Sequence, residues 1–379
     1  MGLLRFFLAY VVLLAHCPEG LLPKIFHSSL AVQCFFTISG FYMQLLVSEK
    51  YKNQNPKQFY KNFYLSRIFR IFPIYLLTLL ITFLFLDKGP IDTILLAEDI
   101  KALIVYITSN LLIDFSIGEY LFYGSMNVSD FLHANNFNIL IQSWSLDLEI
   151  IFYILTPFIL TVRKNSIIFL LIFLCITLRF ILASNDYNYS FSHFWTHAFF
   201  PTELATFLLG SLSYRFYAYS KKNNLKEKKL YYFIDNYSIS LKNYNFILFS
   251  LIISITIIFL LLFGNPLNSN NYNFFGGDWD KGLYGVPNSY WIVILLNALI
   301  IPFLFDFFKN SRIDSFIGHL SYPMYICHFS VIIFLNKLNI ENYYLSIFTF
   351  LLTLLISIIL VLCIEKPITK YRHNKFYKS

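Results

Sequence analysis

The sequence predicts an all-α, polytopic integral membrane protein. Hydrophobic residues make up 57% of its 379 residues, charged residues make up only 13%, and the mean hydropathy is +0.60. Soluble domains carry roughly 25% charged residues, so a soluble fold could not hide this much apolar surface. The apolar residues also form runs of about 15 to 20, the length that a helix needs to cross the hydrocarbon core. We expect one membrane domain over residues 1–379, because no long hydrophilic stretch remains to form a second.

The apolar runs predict about ten transmembrane helices. The predicted spans are 3–17, 31–47, 71–86, 139–161, 167–183, 198–219, 246–263, 290–308, 316–335 and 343–364. The first is short, so tilt or local thinning of the bilayer must accommodate it. Another apolar stretch, 102–113, is shorter and is flanked by charged residues. It is predicted to lie in the outer interface as an amphipathic helix.

The distribution of basic residues predicts the topology, because cytoplasmic loops carry the excess of Lys and Arg. With the N-terminus inside, all but six of the 29 basic residues fall on the inner side. That side includes a basic loop at 221–244 and a basic tail at 366–379. Both termini are therefore predicted to be cytoplasmic, and the net charge of +8 reflects topology rather than nucleic-acid binding. The six exceptions are Lys24, Lys88, Lys101, Arg179, Lys281 and Lys337.

The first span carries two ionisable residues, Arg5 and His16. Ten residues separate them, so on a helix they lie within about 20° of the same face and roughly 16 Å apart. Ionisable groups inside a span are costly and usually mark a function, with a hydrogen-bonded packing role as the alternative. An imidazole titrates near neutrality, which suits His16 to general-base catalysis.

The second and third spans carry small and basic residues. Ser39 and Gly40 permit close approach of a neighbouring helix inside lipid. Arg67 and Arg70 are i,i+3 neighbours on one helical face at the cytoplasmic surface. Because guanidinium binds phosphate through two parallel hydrogen bonds, this pair predicts a polyanion site, with interfacial anchoring as the alternative.

The fourth span opens with Trp144, Ser145 and, four residues later, Glu149. Trp144 is predicted to be an interfacial anchor. A carboxylate in the outer half of a span is hard to explain by packing, so Glu149 needs a partner such as His16 or Arg179.

The ninth span carries Ser321, Tyr325 and His328 at i, i+4 and i+7. This polar stripe in an otherwise apolar segment must face the bundle interior or a wet cavity. His193 and His197 form an i,i+4 pair, but no third ligand stands at a telling distance, and the five cysteines include no CxxC pair. The sequence therefore predicts no metal site.

In their order and spacing, these segments resemble acyltransferase family 3, membrane proteins that move acyl groups from cytoplasmic acyl-CoA onto glycan hydroxyls. The resemblance extends from Arg5 to Pro367. Ser66 stands where such proteins commonly carry a further Arg, so Lys57 or Lys61 could substitute. The matching pieces are the Arg5-x10-His16 spacing, FFxxSGF at Phe35, RxxRIxP at Arg67, WSLxxE with the following FY at Trp144, SYxxYxxH at Ser321, and Glu365-Lys366-Pro367.

The resemblance implies a role for each of these residues. It makes His16 the catalytic base and Glu149 its orienting partner; Arg5, Arg67 and Arg70 would bind the donor, and Ser39, Trp144, Ser145, Tyr325 and His328 would support the acceptor side. It also implies acetyl-CoA as co-substrate with no permanently bound cofactor. A glycan or lipid-linked saccharide would be the acceptor, membrane lipid a further partner, and the bacterial inner membrane the location. Direct transfer and an acyl-histidine intermediate both stay open.

Two other functions fit a bundle with intramembrane charges. A transporter or flippase of glycan or lipid intermediates is the main alternative, although the sequence lacks the half-to-half repetition and paired Gly/Pro-broken helices of many transporters. A lipid-linked glycosyltransferase is expected to carry acidic residues in the first outer loop. Only Glu19 is found there.

Overall fold

The computed structural model describes residues 1–25, 28–51, 54–87, 100–113, 139–184, 199–222 and 288–377. Within these ranges all regular secondary structure is helical and no strand occurs, which confirms the all-α prediction. The predicted span 246–263, the basic loop from residue 223 onward, His193 and His197 lie outside the described residues.

We number the helices of the described ranges in chain order. They are α1 Gly2–His16, α2 Ser28–Leu45, α3 Pro56–Ile81, α4 Ile100–Leu112, α5 Trp144–Ile159, α6 Asn165–Ser184, α7 Phe200–Lys222, α8 Asn288–Phe308, α9 Arg312–Lys337, α10 Asn342–Leu360 and α11 Lys366–Arg372. Wider π-helical turns extend α2 through Leu46–Lys50 and α3 through Thr82–Leu86. Another such turn, Val361–Glu365, joins α10 to α11.

Several helices begin at different residues from those predicted by hydropathy. α3 begins at Pro56, well before residue 71, because the Asn55 side chain accepts a hydrogen bond from Gln58 N at 2.9 Å and caps the helix. α9 begins at Arg312, and α5 begins at Trp144 rather than at 139, after a 3-10 turn. Hydropathy detects only the apolar part of a helix. The helix itself extends into polar sequence until its terminal backbone groups are capped, so its ends differ from the predicted ones.

Five helical segments of the described residues are long and apolar enough to cross a membrane. They are Ser28–Lys50, Pro56–Leu86, Trp291–Phe308, Arg312–Lys337 and Asn342–Phe376, and Gly2–His16 and Asn165–Arg179 are shorter apolar helices. Large apolar side chains such as Phe85, Phe169 and Phe173 are exposed on the outside of the bundle, as a lipid-facing surface requires. The chain is thus a multi-pass membrane protein. The total of ten spans stays a prediction.

The predicted amphipathic segment 102–113 does form a helix, α4. The hydroxyl of Tyr75 on α3 donates to the carbonyl of Asn110 at 2.6 Å, and the Asn110 side chain accepts from Ile139 N at 2.9 Å. Ile104 and Ile107 are exposed on the helix. α4 is therefore packed against α3, and its position in the outer interface stays a prediction.

Two glycines bring α2 and α7 into backbone contact. A Cβ added to Gly40 would lie 1.8 Å from the carbonyl oxygen of Phe207, and one added to Gly210 would lie 1.8 Å from that of Thr37. Only hydrogen fits at either position. The prediction that Gly40 permits close helix approach is confirmed.

A second close contact joins α1 to α9. A Cβ on Gly2 would lie 1.6 Å from the carbonyl oxygen of Asp314 and 2.7 Å from Gly318 N. The Asp314 carboxylate accepts hydrogen bonds from the backbone N of Gly2 and Leu3, at 2.7 and 2.9 Å, and from the amino group of Met1. A side chain of α9 therefore caps the N-terminus of α1.

The last described residues return to the end of the bundle where α3 begins. The ring of Phe69 on α3 contacts the rings of Tyr371 and Phe376, and Gln54 Nε2 donates to the carbonyl of Phe376 at 3.1 Å. Lys366 lies over the ring of Phe316 near the start of α9. The starts of α1, α3 and α9 and the end of the described chain thus share one end of the bundle. Which side of the membrane this end faces stays a prediction.

Candidate active site

A cavity with a mainly apolar lining and several polar side chains lies inside the bundle among α1, α2, α3, α5 and α9. It encloses about 90 Å³, which is small beside the roughly 300 Å³ or more of pockets that hold drug-sized ligands. Its polar wall consists of Arg5, Ser39, Tyr42, Arg70, Ser145, Glu149, Tyr153, Ser321, Tyr322 and Tyr325. Its apolar wall consists of Val32, Phe35, Phe36, Ile38, Met43, Ile71 and Leu146.

Arg5 reaches this cavity from α1. Its guanidinium lies over the ring of Tyr42, 5.5 Å from the centroid. A Cβ on Gly318 would lie 2.3 Å from Arg5 Nη2, so that glycine leaves the space in which the guanidinium lies. Arg5 Nε is buried and has no hydrogen-bond partner among the described residues. Such a donor can bind an acceptor oxygen of a ligand, because leaving it unpaired is costly.

The two arginines of the basic motif on α3 have different surroundings. Arg70 is half-buried and lines the cavity. Arg67 is 3% exposed, contacts Ser66 Oγ at 3.3 Å, and lies over the rings of Phe63 and Tyr153. Arg70 can therefore reach a ligand in the cavity, whereas Arg67 is enclosed by its own helix and by α5.

Glu149 is the carboxylate of the cavity wall. Its Oε1 accepts hydrogen bonds from Ser39 Oγ, at 2.8 Å, and from the hydroxyl of Tyr153. These partners come from α2 and from the next turn of α5. The expected contact with His16 is not among the contacts of the described residues. The physical reason is that Glu149 lies at the cavity, whereas His16 lies at the far end of α1.

A second hydroxyl network closes the cavity between α5 and α9. Ser145 Oγ lies 2.6 Å from the hydroxyl of Tyr325, which also lies 3.1 Å from the carbonyl oxygen of Gln142. Ser145 Oγ lies 3.4 Å from the same carbonyl oxygen, so both hydroxyls converge on one acceptor. Trp144 is half-buried beside this network, packs against the apolar core, and does not line the cavity.

His16 and His328 form a contact outside the cavity. His16 is exposed at the end of α1, whereas His328 is fully buried on α9. The rings are stacked with centroids 5.2 Å apart, and His328 Nε2 lies 3.2 Å from His16 Nδ1. Ser321 and Tyr325 are also buried, so the predicted polar stripe does face the bundle interior.

Hydrogen bonds to backbone carbonyls determine which ring nitrogens carry hydrogen. Nδ1 of His328 lies 2.6 Å from the carbonyl oxygen of Tyr325, and Nδ1 of His16 lies 2.8 Å from that of Val12. Since carbonyls only accept, both Nδ1 atoms carry hydrogen. In the neutral rings the single Nδ1 hydrogen of His16 is then shared between the carbonyl of Val12 and Nε2 of His328, and Nε2 of His16 holds the lone pair that a base requires.

Tyr325 connects the cavity to the histidine pair. Its ring lines the cavity, and its backbone carbonyl accepts from His328. The ring of Phe35 packs against it, with centroids 6.2 Å apart. His16 does not line the cavity, so in the described part of the chain Phe35 and Tyr325 form the cavity wall on that side.

Four cavity or network residues were given no role by sequence reasoning: Tyr42, Gln142, Tyr153 and Tyr322. Tyr42 stands one helical turn after Ser39, and Tyr153 one turn after Glu149, so the spacing that predicted their neighbours could have found them. Tyr322 and Gln142 offered no such signal, because their partners belong to distant segments.

Arg179 has a different partner from the one expected. Its Nη2 donates to Glu203 Oε1 at 2.6 Å, and both side chains are fully buried. Gln33 on α2 donates to the same carboxylate oxygen. This ion pair joins α6 to α7, and Glu203 supplies the charge that Glu149 was predicted to supply.

Among the described residues, no group of three or more His, Cys, Asp or Glu side chains is placed to hold a metal ion. The charged groups of the cavity are two cations, Arg5 and Arg70, and one carboxylate, Glu149, which already accepts hydrogen bonds from Ser39 and Tyr153. The cavity can therefore bind an anionic or carbonyl-bearing ligand.

Comparison with known proteins gives a match to a family model and a match to curated relatives, and the two agree. The chain is 28% identical over 374 residues to O-acetyltransferase OatA of Staphylococcus aureus, in strains NCTC 8325 and COL among others. The alignment covers 92% of this chain but 53% of the relative, so the chain spans about half the length of the curated relatives that it matches. No solved structure matches it. Because a family model described as an acyltransferase domain matches residues 1–366, the chain belongs to acyltransferase family 3.

Proposed function

We propose that this protein transfers an acyl group, acetyl in the simplest case, from acyl-CoA to a hydroxyl of a cell-surface or lipid-linked glycan. The observation that supports this most directly is the set of charged side chains that line the cavity, in a chain that belongs to this acyltransferase family. There Arg5 and Arg70, from two different helices, line one intramembrane space together with Glu149.

The cavity suits the thioester end of the donor. Its volume of about 90 Å³ matches a short acyl group and not a nucleotide. Arg5 Nε, which lacks a protein partner in the described structure, would donate to a carbonyl oxygen of the arm. Arg70 would bind the anionic part of the donor nearer the surface, since guanidinium and phosphate pair through two hydrogen bonds.

His16 would act as the general base. Its Nε2 takes the proton of a glycan hydroxyl while the hydroxyl oxygen attacks the thioester carbonyl carbon. The carbon–sulfur bond then breaks, and the thiolate recovers the proton from His16 to leave as CoA thiol. The products are the glycan ester and free CoA.

The donor must extend past the wall formed by Phe35 and Tyr325 to reach His16. Both are side chains that can rotate, and rotation of these two rings would join the cavity to the histidine without movement of α9. In the covalent variant, His16 Nε2 itself attacks the thioester carbonyl, the carbon–sulfur bond breaks and the CoA thiolate leaves. The sugar hydroxyl then attacks the acyl-imidazole, and its proton passes to the thiolate, which gives the glycan ester, CoA thiol and free His16.

The name of the relative supports an acetyl group and an accepting oxygen, and the glycan is part of the proposal. OatA of Staphylococcus aureus is named an O-acetyltransferase, and a bacterial envelope glycan presented at the outer face of the inner membrane is the acceptor that we propose here. The exposed position of His16, at the end of α1 opposite the capped N-terminus, fits an acceptor that arrives from that face.

Replacing the base tests this function. We expect His16→Gln to lower turnover by roughly 10²- to 10⁴-fold, because general-base catalysis contributes about that much. The measurement uses the purified full chain in lipid vesicles with labelled acetyl-CoA and bacterial envelope glycan, and follows both label in the glycan and release of CoA thiol.

The matched control is His319→Gln on α9, where the new amide can still donate to Glu365. It should retain the wild-type rate. Transfer by His16→Gln at the wild-type rate would exclude His16 as the base. Movement of glycan across the vesicle membrane without any ester formation by the wild type would instead favour the flippase function.

A further inference from the structure

The buried ring of His328 faces the proposed base directly, and no role has been assigned to this contact. His328 is 0% exposed and lies on the side of α9 that contacts His16 of α1. Its Nε2 is 3.2 Å from Nδ1 of His16, and its Nδ1 is 2.6 Å from the carbonyl oxygen of Tyr325.

We propose that His328 is the positioning residue that holds His16 in its basic orientation, the role that sequence reasoning assigned to Glu149. This proposal rests on the proposed function. His328 donates from Nδ1 to Tyr325 and accepts at Nε2 from His16. The chain Tyr325–His328–His16 thus links the cavity wall to the base.

The contact has two consequences for His16. First, it holds the imidazole of His16 stacked on the ring of His328. The same imidazole also contacts the ring of Phe329, with centroids 4.7 Å apart. Second, when Nε2 of His16 takes a proton, the ring becomes a cation whose Nδ1–H is a stronger donor to His328. His328 therefore stabilises the charge that forms during the reaction.

The backbone carbonyl of Val12 shares the Nδ1 hydrogen of His16 with His328, at 2.8 and 3.2 Å respectively. This carbonyl belongs to α1 itself, so it fixes the ring only relative to its own helix. A neutral imidazole nitrogen is a dedicated acceptor. It also comes from another helix, so it fixes His16 relative to α9 and not only relative to α1.

Two amide variants separate the two hydrogen bonds of His328. In His328→Gln an amide oxygen can take the position of Nε2 and accept from His16. In His328→Asn the amide can take the position of Nδ1 and donate to Tyr325, but it is too short to reach His16. We expect Gln to retain turnover within about tenfold and Asn to lose about a hundredfold in kcat, with the KM for acetyl-CoA unchanged in both.

A spectroscopic readout tests the contact apart from catalysis. In full-length protein in lipid vesicles, with ¹⁵N in the histidine rings, the Nδ1 resonance of His16 is identified by its loss in His16→Gln. It should shift in His328→Asn and stay in place in the control His319→Gln.

The outcomes separate this proposal from the proposed function. A wild type that transfers no acyl group overturns the function and the catalytic role together. An active wild type with His328→Asn equally active, with Gln and Asn equally impaired, or with an unshifted His16 resonance overturns the role of His328 alone.

Discussion

Arg67 and Arg70 show how much two residues of one motif can differ. Both are arginines on α3, three positions apart, and yet one is enclosed by aromatic rings while the other lines the cavity. The position of Arg70 supports its proposed role in donor binding. Donor binding by Arg67 stays a prediction, and its contacts with Phe63 and Tyr153 favour a structural role instead.

This contrast makes a prediction about donor affinity. We expect Arg70→Gln to raise the KM for acetyl-CoA by about tenfold, since a hydrogen bond to a charged group contributes roughly 1.5–3 kcal/mol. Arg67→Gln should instead lower thermal stability, because it removes a buried guanidinium stacked on Phe63 and Tyr153. Initial rates over a range of donor concentrations and melting temperatures in detergent measure the two effects. The reverse assignment of effects would contradict it.

Local spacing predicted which residues are polar and buried, but not their partners. The i, i+4, i+7 spacing of the stripe on α9 correctly predicted burial, because helical periodicity is a property of one segment. The partner of Glu149 depends on how α2 and α5 are placed side by side, and that placement is set by contacts far away in sequence. Ser39 was singled out for packing, yet its hydroxyl bonds Glu149.

At the scale of elements, pairs of glycines determine which helices touch. Gly40 with Gly210 joins α2 to α7, and Gly2 with Gly318 joins α1 to α9. Only the first of these four residues was singled out from the sequence. The others sit in segments whose facing partner no local pattern reveals, and helix ends depended on caps such as Asn55 that hydropathy does not detect.

The α2–α7 contact predicts a strong effect of one methyl group. Gly40→Ala places a Cβ 1.8 Å from a backbone oxygen of α7, so the helices must separate. We expect a loss of at least about 1–3 kcal/mol of stability, the usual cost of overpacking. Unfolding of the protein in mild detergent, followed by tryptophan fluorescence, measures this loss. Phe216→Leu on the exposed face of α7 is the control, and equal stability of both variants would contradict the prediction.

For the whole molecule, composition predicted a helical membrane bundle, and the structure agrees with that prediction. The contacts further place the start of α1 and the end of the described chain at the same end of the bundle, through Asp314 and through Phe376. Which end of the bundle faces the cytoplasm is predicted only by the positive-inside rule. Hydropathy could not supply the interior cavity, because a cavity belongs to five helices at once.

The topology is testable by labelling. In a background without native cysteines, we expect Glu19→Cys in intact cells to react with a membrane-impermeant thiol reagent. We expect Lys375→Cys to react only after the membrane is permeabilised, because the basic end of the chain is predicted to be cytoplasmic. Both residues are exposed. Labelling of both cysteines in intact cells would contradict the predicted orientation.

The capping of α1 by Asp314 and its contact at Gly318 have a consequence for turnover. Arg5 and His16 lie on α1, and His328 lies on α9. These two helices are joined at one end by backbone contact and farther along by the paired imidazoles. We expect the two helices to move as one rigid unit, so the distance between the cation Arg5 and the base His16 stays constant during turnover. Admission of substrates then requires rotation of the rings of Phe35 and Tyr325 and movement of the opposite wall, where α3 carries Arg70 and α5 carries Glu149.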